Sequence, residues 1–168
     1  MKRTLAALLL IFIPPLLWWV FIRPVPTEVT VYFTRSVENE ATLAPVVRTV
    51  RARSVETKLR EAYRALLTGP TAEERAGGLD SEIPPGTALR GIAVGRGVAV
   101  ADFTADLERG GGSSSMQGRV WQIVYTGTQF SGVRRVQILI ERRERTALGG
   151  EGVLIEEPIA RPAEVPRF

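Results

Sequence analysis

The side chains of this sequence that could serve as an acid and a base are carboxylates. The candidates are Asp80, Glu82, Asp102, Asp106 and Glu108. Glycoside hydrolases place two such groups on either side of the scissile bond. A sugar-cleaving cleft also needs aromatic side chains for stacking, and the sequence after residue 23 has a single tryptophan, Trp121, in a segment predicted to be a core-facing helix. A cell-wall (peptidoglycan) binding or hydrolysing protein that uses carboxylates therefore stays open as the alternative function.

The other usual reactive side chains are scarce. Among the 168 residues there is no histidine and no cysteine. The common zinc sites, the Ser-His and Cys-His nucleophile pairs, disulfides and a lipid-modified cysteine are therefore excluded. Ser54 and Lys58 are four residues apart, whereas a serine-lysine pair follows S-x-x-K. We predict no catalytic residue, no metal site and no cofactor.

The glycine- and proline-rich stretch at residues 66–86 could cradle a phosphate or only separate structural elements. A phosphate loop needs a cation after its glycines, as in G-x-x-x-x-G-K-[ST], and none stands in that position. Gly69 and Pro70 instead form a typical helix stop, and Thr71 and Glu74 form a capping box for a short helix. The stretch is interpreted as a separator between structural elements.

Alternating and helical patterns predict the elements that carry these side chains. Residues 29–34, 44–51, 89–94, 98–103 and 136–140 are typical of strands, and the two central segments form a hairpin around Gly95-Arg96-Gly97. Helices are predicted after the Ser54 N-cap and from Met116 onward. We therefore predict an α+β domain with a mainly antiparallel sheet of four or five strands and two main helices on one face.

One face of that sheet would remain open and could bind a partner. It would present Tyr32, Arg135, Gln137 and Leu139. The local basic run adds Arg142 and Arg143, which could contact anionic lipid headgroups or an acidic partner. The alternative is an ordinary solvated strand end, in which Glu141 and Glu144 offset the charge.

Residues 5–22 contain no charged side chain, and a helix of that length spans roughly 27 Å, close to the hydrocarbon thickness of a bilayer. No cleavage site follows, so an uncleaved anchor is predicted. Lys2 and Arg3 place the amino terminus in the cytoplasm by the positive-inside rule. The expected location is the bacterial cytoplasmic membrane, single-pass, with the remaining chain on the extracytoplasmic side.

The formal charge of +4 comes mostly from the basic residues that flank this segment. From Pro24 onward acidic and basic side chains nearly balance, so a nucleic-acid partner is not expected. The predicted organisation is a cytoplasmic tip and anchor at 1–23, a proline-rich stem at 24–27, a domain at 28–157 and a proline-bearing tail at 158–168.

Several motifs occur in order over residues 28–157: VTVYFTR, LAPVVRTV, LLTGPTAEE, LDSEIPPGTAL, VAVADFT and QIVYTGTQFSGVRRVQILIE. Together they resemble the GerMN domain of sporulation and spore-germination proteins. The most specific residues of the resemblance are Gly69, Pro70, Thr71, Gln122, Tyr125, Gln129 and Phe130, with a structural role. The resemblance implies a membrane-tethered extracytoplasmic domain without enzymatic activity, with envelope proteins as partners and a possible homo-oligomer.

Gly127 departs from the family pattern, in which an aliphatic residue usually stands at this helical position. A glycine inside a helix costs about 1 kcal/mol relative to alanine. Either the helix is weak at this point or another element packs unusually close. The predicted function is a non-catalytic, membrane-anchored module for protein-protein interaction or assembly in the cell envelope.

Overall fold

The computed structural model describes residues 23–37, 40–150 and 153–168. The predicted anchor at residues 5–22 lies outside this part of the chain. Within the described residues, every helix is too short or too polar to cross a membrane.

The first sheet is built on a long hairpin. Strands β1 (Val25–Val37) and β2 (Glu40–Ala52) pair antiparallel along their whole length, from Val25 opposite Ala52 to Val37 opposite Glu40. The two-residue strand β3 (Leu79–Asp80) pairs with β1 on its other side, so the strand order is β2-β1-β3. β1 therefore has partner strands along all of one edge and only at the end of the other.

The second sheet has the order β4-β5-β6-β7. Strands β4 (Leu89–Gly95) and β5 (Val98–Phe103) form the predicted hairpin. Strand β6 (Arg135–Ile140) lies parallel to β5, and β7 (Ile159–Ala160) pairs antiparallel with β6. β5 and β6 are parallel because a helical crossover joins them, as parallel neighbours require.

The glycine- and proline-rich stretch separates helices, as predicted. Helix α1 (Val55–Thr68) begins at Ser54, whose hydroxyl accepts from the Thr57 amide, and ends at Gly69, where φ is 80°. Helix α2 (Ala72–Ala76) has the full Thr71–Glu74 capping box. Glu74 also forms a bidentate pair with Arg48 of β2, and the Arg48 guanidinium is the main cause that lowers the pKa of Glu74 to about 2. The short helix is thereby tied to the first sheet.

Helix α3 (Ser113–Gly127) follows a 3₁₀ turn, Ala105–Glu108, and packs against both sheets. Buried side chains of α1, α3 and the two sheets form one hydrophobic cluster, which includes Phe33, Tyr63, Phe103, Ile123 and Ile138. Each of these five side chains is fully buried. The two sheets therefore share a single core.

The α+β class and the two main helices are confirmed, and the sheet prediction holds in part, because a four-stranded sheet is present but does not contain β1. The structure has two sheets, of three and four strands. The separation has a physical cause: β3 and side chains of α3 occupy the second edge of β1. From Thr30 to Thr34, no hydrogen-bonding positions remain there for a strand of the second sheet.

The two terminal segments of the described chain are part of this fold. β1 begins at Val25, within the segment interpreted as a stem. The segment interpreted as a tail contains β7, and its last residue, Phe168, exchanges backbone hydrogen bonds with Ala41 of β2 at 2.9 and 3.0 Å. The residues after β7 thus run from the second sheet back to the first.

Candidate functional site

Two of the candidate acids and bases, Asp102 and Asp106, are occupied by structural contacts. Asp102 accepts a hydrogen bond from the Arg142 amide at 2.8 Å and lies 3.3 Å from the Arg90 guanidinium. Asp106 pairs with Arg109 at 2.5 Å. Four surface cavities formed by described residues each contain at most one carboxylate, and these residues contain no acidic cluster suited to a metal ion. None of these four cavities therefore pairs two carboxylates in one cleft.

The most specific motif residues meet at the second edge of β1. Gln129, just after α3, accepts from the Thr30 amide and donates to the Thr30 carbonyl, both at 2.6 Å. Its amide also donates to the carbonyl of Thr126, one of the last carbonyls of α3. The Gln129 side chain therefore pairs with β1 as a neighbouring strand would and caps the helix at the same time.

Two more side chains of α3 continue this contact along the strand. The Thr126 hydroxyl accepts from the Tyr32 amide at 3.2 Å, and the Gln122 amide donates to the Tyr32 carbonyl at 3.0 Å. Gln122 also accepts from the Glu82 amide at 2.9 Å. We call Gln122, Thr126 and Gln129 the polar seam. Together with β3 opposite Thr34, the polar seam closes the edge of β1 from Thr30 to Thr34.

Aromatic rings and one arginine cover the outer side of the polar seam. Tyr125 packs edge-on against Tyr32, with ring centroids 5.3 Å apart, and Arg161 lies 4.5 Å from the Tyr125 ring centroid. The Arg161 guanidinium donates to the Tyr125 carbonyl at 2.6 Å, where a cation is also favoured by the dipole of α3. Burial raises the pKa of Tyr125. The tail is held here by packing and by the end of the helix.

Close packing accounts for Gly127. A Cβ at this position would lie 2.6 Å from a methyl carbon of Val136 and would also collide with the Tyr63 hydroxyl. That hydroxyl donates to the carbonyl of Ile123 at 3.2 Å, and burial raises the pKa of Tyr63. Of the two alternatives left by the sequence, close approach of another element is correct.

The grouping of Tyr32 with residues of β6 on one open face is wrong. Tyr32 lies in the first sheet and is half-buried under Tyr125 and Arg161. Arg135, Gln137 and Leu139 do share one face of β6, because the intervening Val136 and Ile138 point into the core. Gln137, however, is only 7% exposed, since its amide donates to the carbonyl of Ile155 at 2.9 Å.

The second sheet does have an open face on the side away from the core. Ala93, Val98, Val100 and Leu139 lie on it; their neighbours in the same strands point into the core. We call these four residues the outer face. Ala93 is exposed and the other three are half-buried. The outer face is an apolar patch beside the buried polar side chains of Asp102 and Gln137.

Arginines stand at both ends of the outer face. Arg135 is joined by Arg134 and by Arg96, because the amides of Arg134 and Arg135 both donate to the carbonyl of Gly97 in the β4–β5 turn. We call Arg96, Arg134 and Arg135 the arginine triad. Arg142 and Arg143 are exposed beyond the opposite end of β6. Within the described residues, none of these five side chains has an ion pair.

Sequence reasoning did not identify three residues that organise this region. Thr126 completes the polar seam, and the spacing of polar residues at positions 122, 126 and 129, in α3 and just after it, was the available signal. Arg161 was assigned to a tail. Arg119 is 3% exposed and donates to the carbonyls of Glu82, Leu107 and Gly110, and its burial lowers its pKa.

The fold and the polar seam define a small two-sheet α+β domain whose motif residues hold structure together. Residues 30–146 match the model of the Germane family, described as sporulation and spore germination, and the chain belongs to this family. No curated protein matches the chain.

Solved structures with this fold include two from the sporulation protein GerM of Bacillus subtilis. The tandem GerMN domains are 20% identical, with a TM-score of 0.65, over 83% of this chain and 47% of that one. The first GerMN domain is 23% identical, with a TM-score of 0.62, over 80% of this chain and 98% of that one. This chain spans about half the length of the tandem structure.

Replacing Gln129 by alanine should destabilise the fold. Gln129→Ala leaves the amide and carbonyl of Thr30 without partners at a partly buried edge, which costs about 1–3 kcal/mol. Urea unfolding of the full chain in detergent micelles measures the change. Gln117→Ala, on α3 at a half-buried site where the side chain makes no hydrogen bond within the described residues, should stay within about 0.5 kcal/mol of wild type. Equal losses in the two variants would contradict the role assigned to Gln129.

The sign of the effect of Gly127→Ala tests the close packing. Helix propensity alone would stabilise the variant by about 1 kcal/mol, whereas collision with Tyr63 and Val136 should destabilise it by about 1–3 kcal/mol. Thermal unfolding of the full chain decides between the two. Gly95→Ala is the matched control, because a Cβ there meets no atom within 4 Å. A stabilised Gly127→Ala variant would contradict the packing argument.

Proposed function

We propose that this chain is a non-catalytic module of the cell envelope, anchored in the cytoplasmic membrane by residues 5–22, that binds a protein partner through the outer face. Membership of a sporulation and germination family supports a role in an envelope assembly of that kind. The apolar segment and the charges that flank it support the anchor and its orientation.

The observation that carries the proposal is the outer face with unpaired arginines at both ends. Val98, Val100 and Leu139 are only half-buried, so a partner surface could remove their remaining apolar area from water. Interfaces typically combine such an apolar centre with a polar rim. The surface is therefore suited to a protein.

The charges indicate which kind of protein would bind. Arg135 at one end and Arg142 and Arg143 at the other end are exposed and have no ion pairs within the described chain. A second copy that docked through the same face in a symmetric dimer would bring like charges together. A homo-oligomer through the outer face is thus disfavoured, and the proposed partner is an envelope protein with acidic residues around an apolar patch.

The peptidoglycan alternative is less well supported. It requires two carboxylates in one cleft, and Asp102 and Asp106 are each bound to arginine. The occupied carboxylates favour the non-catalytic proposal.

Photocrosslinking in intact membranes tests the outer face. A photoreactive amino acid at Leu139 of the full chain should form an adduct with one protein, because this side chain would lie at the centre of the interface. The charge reversal Arg142→Glu/Arg143→Glu should reduce the adduct by about tenfold, the effect of roughly 1.4 kcal/mol of lost complementarity.

The matched control is the same probe at Val47, an exposed side chain of the first sheet with 58% exposure. Val47 should form no specific adduct. Adducts from Val47 but none from Leu139 would contradict the choice of surface. Release of soluble fragments from purified peptidoglycan by the full chain would contradict the non-catalytic proposal.

A further inference from the structure

The arginine triad lies at the end of the domain from which residues 1–22 depart. The polar seam shows that α3 runs antiparallel to β1, since Gln122 contacts Tyr32 and the later Gln129 contacts Thr30. β6 returns from the end of α3, where Gly127 packs against Val136. β1 and β6 therefore begin at the same end of the domain.

Further arginines occupy this end. Arg51 lies opposite Pro26 in the hairpin and donates to the carbonyl of Pro24 at 3.3 Å. It is exposed, as are all three members of the arginine triad. A shallow cavity of about 470 Å³, lined in part by Pro24, Arg51 and Arg53, adjoins the point where the described chain begins.

Few acidic side chains offset this charge. Helix α1 begins near the same end and carries two acidic side chains there. Glu56 pairs with Arg60 at 2.8 Å, and Glu61 pairs with Arg64 at 2.7 Å. Glu28 is exposed and is the one acidic residue of β1. The end as a whole carries a net positive charge. At the opposite end of the domain Arg109 and Arg145 face Asp106 and Glu108, whereas Arg142 and Arg143 have no ion pair within the described residues.

We propose that this end binds anionic phospholipid headgroups through Arg96, Arg134 and Arg135, with Arg51 beside them. The inference rests on the proposed anchor, which would hold the end within a few residues of the bilayer. Over so short a distance arginines attract anionic headgroups with little screening, because the Debye length is about 10 Å at 0.1 M salt. The contact fixes the orientation of the domain on the membrane.

This binding also separates two uses of the arginines. On the membrane the triad, including Arg135, contacts the lipid, and the protein partner proposed above then meets the charges at the other end of β6, Arg142 and Arg143. Strand β6, about 17 Å long, separates Arg134 and Arg135 at its start from Arg142 and Arg143 beyond its end. Arginines that are close in the sequence therefore serve two different surfaces.

The test uses the full chain, which has no cysteine of its own, reconstituted in vesicles. Ser131→Cys, in the exposed turn before Arg134, carries a fluorophore, and Ala76→Cys on α2 carries the same label at the opposite end. In vesicles that contain phosphatidylglycerol, acrylamide should quench the label at position 131 on the order of twofold less than in phosphatidylcholine alone, since only the anionic surface draws the triad to it. The label at position 76 should be quenched equally in both.

Two controls complete the experiment. Arg96→Gln/Arg134→Gln/Arg135→Gln should abolish the protection, and Arg109→Gln/Arg142→Gln/Arg143→Gln, which removes the same charge elsewhere, should preserve it. Salt near 1 M should also remove it, because the Debye length falls to about 3 Å. Flotation in neutral vesicles reports the anchor separately: if the chain does not float, the proposed anchor fails. If it floats and position 131 is quenched equally in both vesicle types, the lipid inference is overturned and the triad belongs to a protein-binding surface.

Discussion

The rest of the structure depends on how the second edge of β1 is satisfied. A strand edge presents backbone donors and acceptors that must find partners when they are partly buried. β3 reaches only Thr34 and Arg35, and α3 supplies the side chains of the polar seam for Thr30 and Tyr32. This arrangement fixes the position of α3 and keeps β1 from joining the second sheet. It also places Tyr125 where Arg161 can hold the tail.

The position of α3 in turn decides which surfaces are open. Because α3 and α1 pack into the shared core, the alternate residues of β5 and β6 remain without a helix on the outer face. The same geometry puts the beginning of β6 at the end from which the apolar segment departs. Arginines that are neighbours in the sequence thus reach two different environments. The proposed protein partner and the proposed lipid contact both follow from this placement and need no catalytic group.

Local patterns were sufficient for the elements and insufficient for their pairing. Alternation predicted β1 and the β4–β5 hairpin, and the residues around Ser54, Gly69 and Thr71 predicted the limits of α1 and α2. A period of two residues shows which side chains share a face of one strand, but not which strands share a sheet, so Tyr32 was grouped wrongly with Leu139. The contacts of Gln129 and Arg161 join residues 99 and 36 positions apart, beyond the reach of any local pattern.

Amide hydrogen exchange of the native chain tests the central claim, that side chains of α3 serve β1 as a partner strand would. The amides of Val29 and Val31 lie in the part of β1 that pairs with β2 and serve as the reference. The amides of Thr30 and Tyr32 should exchange as slowly as these, because local opening must break the polar seam first. Glu28, on the same edge but beyond the polar seam, should exchange faster. Exchange at Thr30 and Tyr32 as fast as at Glu28 would show an open edge and would contradict the account.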